Sequence, residues 1–347
     1  MKIRKLLSIV LCLLITLCSV ACTVNEKDPG EKPENKKDVI NIGMSFDSFV
    51  IERWQRDRDV FVSTAKEMGA EVNVQNANSD IEEQKKQIRY LIEQNVDVLV
   101  IICIDADTLS EEVKKAKNAG IKVIAYDRII RDADLDLYIS FDNETVGTLM
   151  GETLVSSGIG EGSSVIMIGG STKDYNVPVL EEGFINVMKE NNVTIADQVH
   201  CDGWRAEIAS DYIYENIDKI KGVDAIMCGN DNIASKVVSA LSEQRLAGEI
   251  LVTGQDADLE ACQRIVEGTQ LMTVYKCVDD LAKLAAECAI KLAKGEDIGA
   301  KETMNNGSFD VPYISLTPIQ VTKSNLDEVI INSGFHAKED VYLNVTE

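Results

Sequence analysis

An α/β protein made of two doubly wound lobes is the fold class this sequence predicts, and three observations predict it. Short runs rich in valine and isoleucine alternate with longer stretches of helical period from residue 39 onward. Most of the short runs are apolar at nearly every position, as parallel strands buried on both faces are. The series also holds more strand–helix units than one open sheet carries comfortably, so it divides in two.

The first run, DVINIGMSF, reads as a strand. A helix over 50–68 follows, with Val50, Trp54, Phe61 and Ala65 at roughly helical spacing. AEVNVQ is the next strand and 81–94 its helix. DVLVIICI is a strand, and the helix over 108–119 is closed by Gly120. IKVIAY and LYISF are further strands. The break between the lobes falls near Phe141–Asn143. The second series opens with a helix over 144–156 that ends near Gly158. SSVIMIG is a strand followed by a helix over 176–190. DQVHCDG is extended and precedes a helix over 205–219. VDAIMCG, EILVTG and LMTVYK are strands, each followed by a helix, over 232–244, 258–267 and 279–294. DVPYISLTPIQVT is extended, and 323–331 is a short final helix.

Of 347 residues, 45% are hydrophobic and 27% charged, which is the composition of a folded globular protein. The net charge of −23 repels phosphate backbones and anionic lipid surfaces, which argues against nucleic-acid binding. The first 22 residues carry the marks of an export signal: a basic MKIRK, an apolar LLSIVLCLLITLC, and SVAC, with Ala21 directly before Cys22. This resembles a bacterial lipoprotein signal, in which Cys22 becomes the lipidated N-terminus, although Ser19 stands where such signals usually carry leucine. Removal of Lys2, Arg4 and Lys5 with that leader takes the mature charge to about −26. Residues 23–38 are polar, contain Pro29, Gly30 and Pro33, and read as a flexible tether between lipid and domain. The six cysteines beyond the leader form no C-x-x-C pair, and several interrupt apolar runs, so buried free thiols are expected. The two histidines, His200 and His336, have no ligand-like spacing, so no metal site is expected.

In open parallel sheets, ligands bind beyond the carboxyl ends of the strands. There the sequence places Arg53 and Trp54 after the first strand, and Asp127 and Arg128 after KVIAY. Asp174 and Asn176 follow VIMIGG, Trp204 follows VHCDG, and Asn230 follows AIMCG. Asp256 follows ILVTG and Lys276 follows LMTVY. Carboxylates, amides and cations around two indoles suit a pyranose, whose hydroxyls need both donors and acceptors and whose C–H faces lie on aromatic rings. Competing readings exist for several neighbours. Asp107, Asp231 and Asp258 read as helix caps, and Arg56–Asp59 as a solvated pair on the exposed face of ERWQRDRD. Trp54 taken alone fits a core position as well as a cleft. No G-x-G-x-x-G, G-x-x-x-x-G-K-[ST] or G-x-S-x-G motif is present, and GIGEG precedes a strand rather than opening a helix. Binding without catalysis is the expectation, with no cofactor.

The runs ERWQRDRDVF, VDVLVII, GIKVIAYDR, YISFDN, DGW, GQDADL, GTQLMTVYK and SGFHAKEDVY resemble the bacterial D-xylose-binding proteins. These are sugar receptors of ABC importers with the type I periplasmic-binding-protein fold. The resemblance runs from about residue 39 to the C-terminus. It implies two Rossmann-like lobes joined by three hinge strands, with crossings near 141–143, 276–280 and 305–312. Lobe one would comprise 39–141 plus about 279–306, and lobe two 142–278 plus about 307–347. The positions that match the family's sugar contacts are Arg53, Trp54, Asp127, Arg128, Asp174, Asn176, Trp204, Asn230, Asp256 and Lys276. Closure of the lobes would complete the site. The stretch GGSTKDYNVPVLEEGF departs from the family, with Tyr175 and Val177 where asparagine and alanine are common. Glu181 stands where a basic residue commonly helps hold the sugar. The function implied is a lipid-anchored, extracytoplasmic receptor that delivers a pentose, D-xylose above others, to the membrane subunits of an ABC permease. The alternative is a sugar sensor that docks on a membrane histidine kinase or chemoreceptor.

Overall fold

The computed structural model describes residues 39–345. The expected leader, Cys22 and the tether lie outside the described residues. The first lobe is built in chain order from β1 (Ile40–Phe46), α1 (Arg53–Glu67), β2 (Ala70–Asn76), α2 (Ile81–Glu93), β3 (Val98–Ile101), α3 (Ser110–Asn118), β4 (Lys122–Tyr126) and β5 (Leu137–Phe141). The second begins with α4 (Asn143–Ser156), β6 (Ser164–Gly169), α5 (Asn176–Glu190) and β7 (Thr194–His200). A single turn at Asp202–Trp204 leads into α6 (Glu207–Glu215) and α7 (Ile217–Ile220). Then come β8 (Ala225–Cys228), α8 (Asp231–Glu243), β9 (Leu251–Gln255), α9 (Leu259–Glu267) and β10 (Met272–Tyr275). The chain returns through α10 (Val278–Lys294), β11 (Glu302–Asn305), β12 (Asp310–Leu316) and β13 (Ile319–Thr322), and ends in a π-helical turn at Asp327–Ile331 and the short α11 (Lys338–Val341).

Two sheets result. The first has seven strands in the order β11-β12-β5-β4-β3-β1-β2, and the second has six in the order β13-β10-β9-β8-β6-β7. The β1–β5 and β6–β10 strands pair in parallel. Each sheet is covered on both faces, and alternate residues of one strand serve opposite cores. Val98 and Val100 pack with α1 and α10, while Leu99 and Ile101 pack with Ile88, Leu91 and Val113. In the second sheet Ile166 and Ile168 face one core, and Val165 and Met167 the other.

The crossovers between sheets set the cleft. Two fall where expected, between β5 and α4 and between β10 and α10. The third does not. The expected division assigned everything after about 306 to lobe two, but β12 pairs in parallel with β5 (Tyr313↔Tyr138 to Leu316↔Phe141) and belongs to the first sheet. Only β13 crosses, pairing antiparallel with β10. The crossing therefore lies at Thr317–Pro318, where proline supplies no amide hydrogen to continue a ladder. The C-terminal segment then packs on lobe two through Leu326, Ile330 and Val341, against Ile265 and Tyr275.

Candidate sugar-binding site

The parallel strands β4, β6, β8, β9 and β10 turn their carboxyl ends to the cleft, and one cavity of about 480 Å³, its open mouth included, lies between the two sheets. All ten residues singled out from the sequence line it: Arg53, Trp54, Asp127, Arg128, Asp174, Asn176, Trp204, Asn230, Asp256 and Lys276.

The lobe-one wall is held by ion pairs. Arg53 opens α1 and grips Asp57 one turn on with two hydrogen bonds of 3.2 Å. It also reaches Asp127 at 2.9 Å and Asp256 of lobe two at 3.8 Å. Burial by itself would lower the Arg53 pKa, but Asp127, Asp57 and Asp256 outweigh it and hold the guanidinium charged. Its Cζ lies 4.5 Å from the Trp54 ring centroid. Trp54 is 2% exposed and sits edge-on to Phe46 at 6.4 Å, so it closes the core and lines the cavity at once. Arg128 is bound by Asp47 and by the Cys103 carbonyl oxygen (3.1 Å), and its Nε lies 2.7 Å from Asp174 across the cleft. Its guanidinium is 5.4 Å from the Trp54 ring and 5.9 Å from the Trp204 ring, one indole from each lobe. Burial would raise the Asp127 carboxyl, but Arg53, Lys276 and Arg128 hold it below the usual carboxylate range. Asp174, where burial outweighs Arg128, is pushed up.

The lobe-two wall comes from strand ends and helix starts. Asn230 caps α8 by accepting from the Ile233 amide (3.0 Å), so its side-chain NH₂ remains to donate into the cavity. Lys276 pairs with Asp256 at 2.8 Å. Asn176 donates to the Asp127 carbonyl oxygen (3.0 Å) and accepts from the Tyr138 hydroxyl (3.2 Å), and the Ala106 amide donates to the Lys173 carbonyl oxygen (3.0 Å). With Arg128–Asp174 these contacts tie the two walls together, so the cleft is closed.

Three lining residues also have an unusual backbone conformation. Asp127, Trp204 and Asp256 all have positive φ (63°, 58° and 99°), a region that side-chain-bearing residues rarely adopt and that clusters at functional sites. At Gly170 a Cβ would overlap the Trp204 indole, and at Gly229 it would lie 2.7 Å from the Gly170 nitrogen. Glycine at both positions lets the indole lie on the strand ends.

Five buried polar atoms of the cavity walls have no hydrogen-bond partner: Trp54 Nε1, Trp204 Nε1, Arg128 Nε, Gln255 Oε1 and Asp256 Oδ1. Arg128 Nε is close to Asp174 and Asp256 Oδ1 close to Lys276, but neither contact is aligned as a hydrogen bond. Buried polar groups are satisfied as a rule, so these donors and acceptors on residues that line one cavity are available to a polar ligand.

Three readings from the sequence are corrected. The ERWQRDRD charges are not all solvated: Asp57 is fully buried beneath Arg53 and Tyr126. Arg56 does not pair with Asp59 but with Asp279 at the start of α10 (2.5 Å), and it donates to the Phe335 carbonyl oxygen (3.2 Å). Its partners lie more than 200 residues away, beyond any local rule. The capping aspartates differ too. Asn230 rather than Asp231 caps α8, Asp107 pairs with Arg131 (3.2 Å), and the Asp258 side chain makes no capping bond.

Sequence reasoning left out Asn143, Gln255 and the lining residues Ile51, Leu180, Gly169, Gly170 and Gly229, and it named Val177 and Glu181 only as departures from the family pattern. Gln255 ends a strand as the others do and carried the same signal. Asn143 was read only as the lobe boundary. Which way Glu181 faces depends on the seating of α5, and the glycines carry no chemistry to notice.

Two Rossmann-like lobes closing on a polar, indole-lined cleft define a ligand-binding receptor, and the chain belongs to the periplasmic binding protein family: residues 42–297 match its domain model. It is similar to the D-xylose-binding periplasmic protein of Haemophilus influenzae, 43% identical over 87% of this chain and 92% of that one. It is likewise similar to the D-xylose-binding periplasmic protein of Escherichia coli, 42% identical over 98% of this chain and all of that one. Among solved structures it resembles an ABC transporter solute-binding protein of Clostridium phytofermentans with bound β-D-glucose. That match has a TM-score of 0.80 and 27% identity, over 87% of this chain and 99% of that one.

Proposed function

We propose that this protein is an extracytoplasmic receptor that closes on a pentose, D-xylose above other sugars, and presents it to an ABC permease. The observation that carries this is one cavity lined by two indoles, by three charged pairs and by three buried polar atoms without any partner, Trp54 Nε1, Trp204 Nε1 and Gln255 Oε1. The resemblance to two D-xylose-binding proteins over most of their length supports the choice of sugar. The ten residues serve as ligand contacts. Asp127, Asp174 and Asp256 accept from sugar hydroxyls, Arg53, Arg128, Lys276 and Asn230 donate, and Trp54 and Trp204 cover the ring faces. A hydrogen bond to a charged group contributes about 1.5–3 kcal/mol, so a few of them reach the roughly 8 kcal/mol of a micromolar complex. No covalent step is involved. The lobes meet through the three crossovers described above and hinge there.

Calorimetric titration with D-xylose, D-glucose, L-arabinose and D-ribose tests the reading. Saturable binding of D-xylose, tighter than the others, is expected; equal silence toward all four would overturn it. Cys22 carries the lipid that holds the receptor at the membrane. No helix among the described residues is long and apolar enough to cross a membrane. Cys22→Ala should release the protein from the membrane fraction, and retention there would remove the anchor from this reading.

A further inference from the structure

The charged groups of the cavity fall into pairs with one left over. Arg53 pairs with Asp127 at 2.9 Å, Arg128 with Asp174 at 2.7 Å, and Lys276 with Asp256 at 2.8 Å. Glu181 is the fourth carboxylate in the lining, 7% exposed, and no lysine or arginine among the described residues pairs with it. It shares one face of α5 with the lining residues Val177 and Leu180, one turn further into the helix.

Glu181 is nonetheless held. Gln198 Nε2 donates to Oε2 at 2.9 Å, and His200 Nε2 donates to Oε1 at 2.9 Å, since a carboxylate can only accept. Both donors stand on β7, two residues apart and so on one face of the strand. β7 is the edge strand of the second sheet, away from the first lobe. A carboxylate has about four acceptor positions, and two are filled from the β7 side. A fixed, desolvated acceptor in a cavity wall selects strongly for a group that can donate to it.

We propose that Glu181, oriented by Gln198 and His200, is a specificity-determining residue that accepts a hydrogen bond from one particular hydroxyl of the sugar. It thereby rejects ligands that lack a donor there or carry an anion. This rests on the pentose reading above.

The test is a cycle between protein and ligand. Wild-type full chain and Glu181→Gln are titrated with D-xylose and with its 2-deoxy, 3-deoxy and 4-deoxy analogues. Gln keeps the volume and one acceptor but loses the charge, so D-xylose affinity should fall about 10- to 100-fold. One deoxy analogue, and only one, should bind both proteins alike. His200→Gln, which leaves Glu181 in place and alters its anchor, should weaken binding at that same hydroxyl and nowhere else. An equal loss for all four ligands, or no loss with D-xylose, would reduce Glu181 to a structural part of lobe two and overturn the proposal. Failure of the wild type to bind any of these sugars would instead remove the pentose reading, and this inference with it.

Discussion

Arg128 joins the two walls of the site, because it bridges Asp47 and Asp174 and lies between the two indoles. Removing its charge would leave two buried carboxylates without a cation, a change that costs about 3–5 kcal/mol. Arg128→Met should therefore lower stability by that order in a denaturant titration and abolish measurable sugar binding. Trp54→Ala should cost about 3–5 kcal/mol of stability as a core truncation, as well as sugar affinity. Trp204→Ala, on a half-buried turn, should cost affinity with little stability. Equal melting losses for the two tryptophans would contradict this division. Asp231 gives a pH dependence. Burial pushes its carboxyl up to about 7, against Arg264, Thr273 and Gln270, and the neighbouring Asp258 is raised as well. A carboxyl whose folded pKa lies above its unfolded value of about 3.9 adds stability below that value, which is lost as pH rises through the folded pKa. Melting temperature should accordingly fall between about pH 4 and pH 7, and Asp231→Asn should flatten that slope. At this scale the sequence revealed the polar residues at strand ends, since their position follows from the strand pattern alone. It did not reveal Arg56–Asp279 or Gln198–Glu181–His200, where the partners come from different elements and meet only once helices and strands are packed.

At the scale of elements, the seating of α5 decides the lobe-two wall, because Asn176, Val177, Leu180 and Glu181 all ride on it. It lies so close to α4 that a Cβ at Gly147 would overlap the Leu180 carbonyl oxygen, and one at Gly183 the Glu144 carbonyl oxygen. Gly147→Ala should push α5 away from α4, at a stability cost of about 1–3 kcal/mol for overpacking, and weaken sugar binding although the residue never touches the ligand. Gly170→Ala should displace the Trp204 indole and weaken binding with a smaller change in melting temperature. Unchanged affinity in both would mean that neither close contact matters to the site. Helix and strand identities were legible because the apolar periods are long and regular, and α5 spans the residues expected of it. The partition of DVPYISLTPIQVT into two strands of different sheets was not. Both halves are extended and share the same alternation, and only their partners, β5 for one and β10 for the other, separate them.

At the scale of the whole molecule, direct contacts between the lobes hold the cleft closed, among them Arg128–Asp174, Arg53–Asp256, Asn176 to the Asp127 carbonyl oxygen, and the Ala106 amide to the Lys173 carbonyl oxygen. A sugar that bonds to both walls adds to these and shifts the population toward closure. Scattering should show a smaller radius of gyration with D-xylose than without it, and Asp174→Asn should raise the dissociation rate by loosening the tie. The central claim is that one sugar touches both lobes at once, and each lobe carries its own reporter. The most direct measurement is a pair of fluorescence titrations with D-xylose, one on Trp54→Phe, which leaves Trp204, and one on Trp204→Phe, which leaves Trp54. A saturable change in both, each matching its own calorimetric midpoint, is the expected result. Calorimetric binding with either indole silent would contradict it, because the sugar would then be held by one lobe alone or somewhere else.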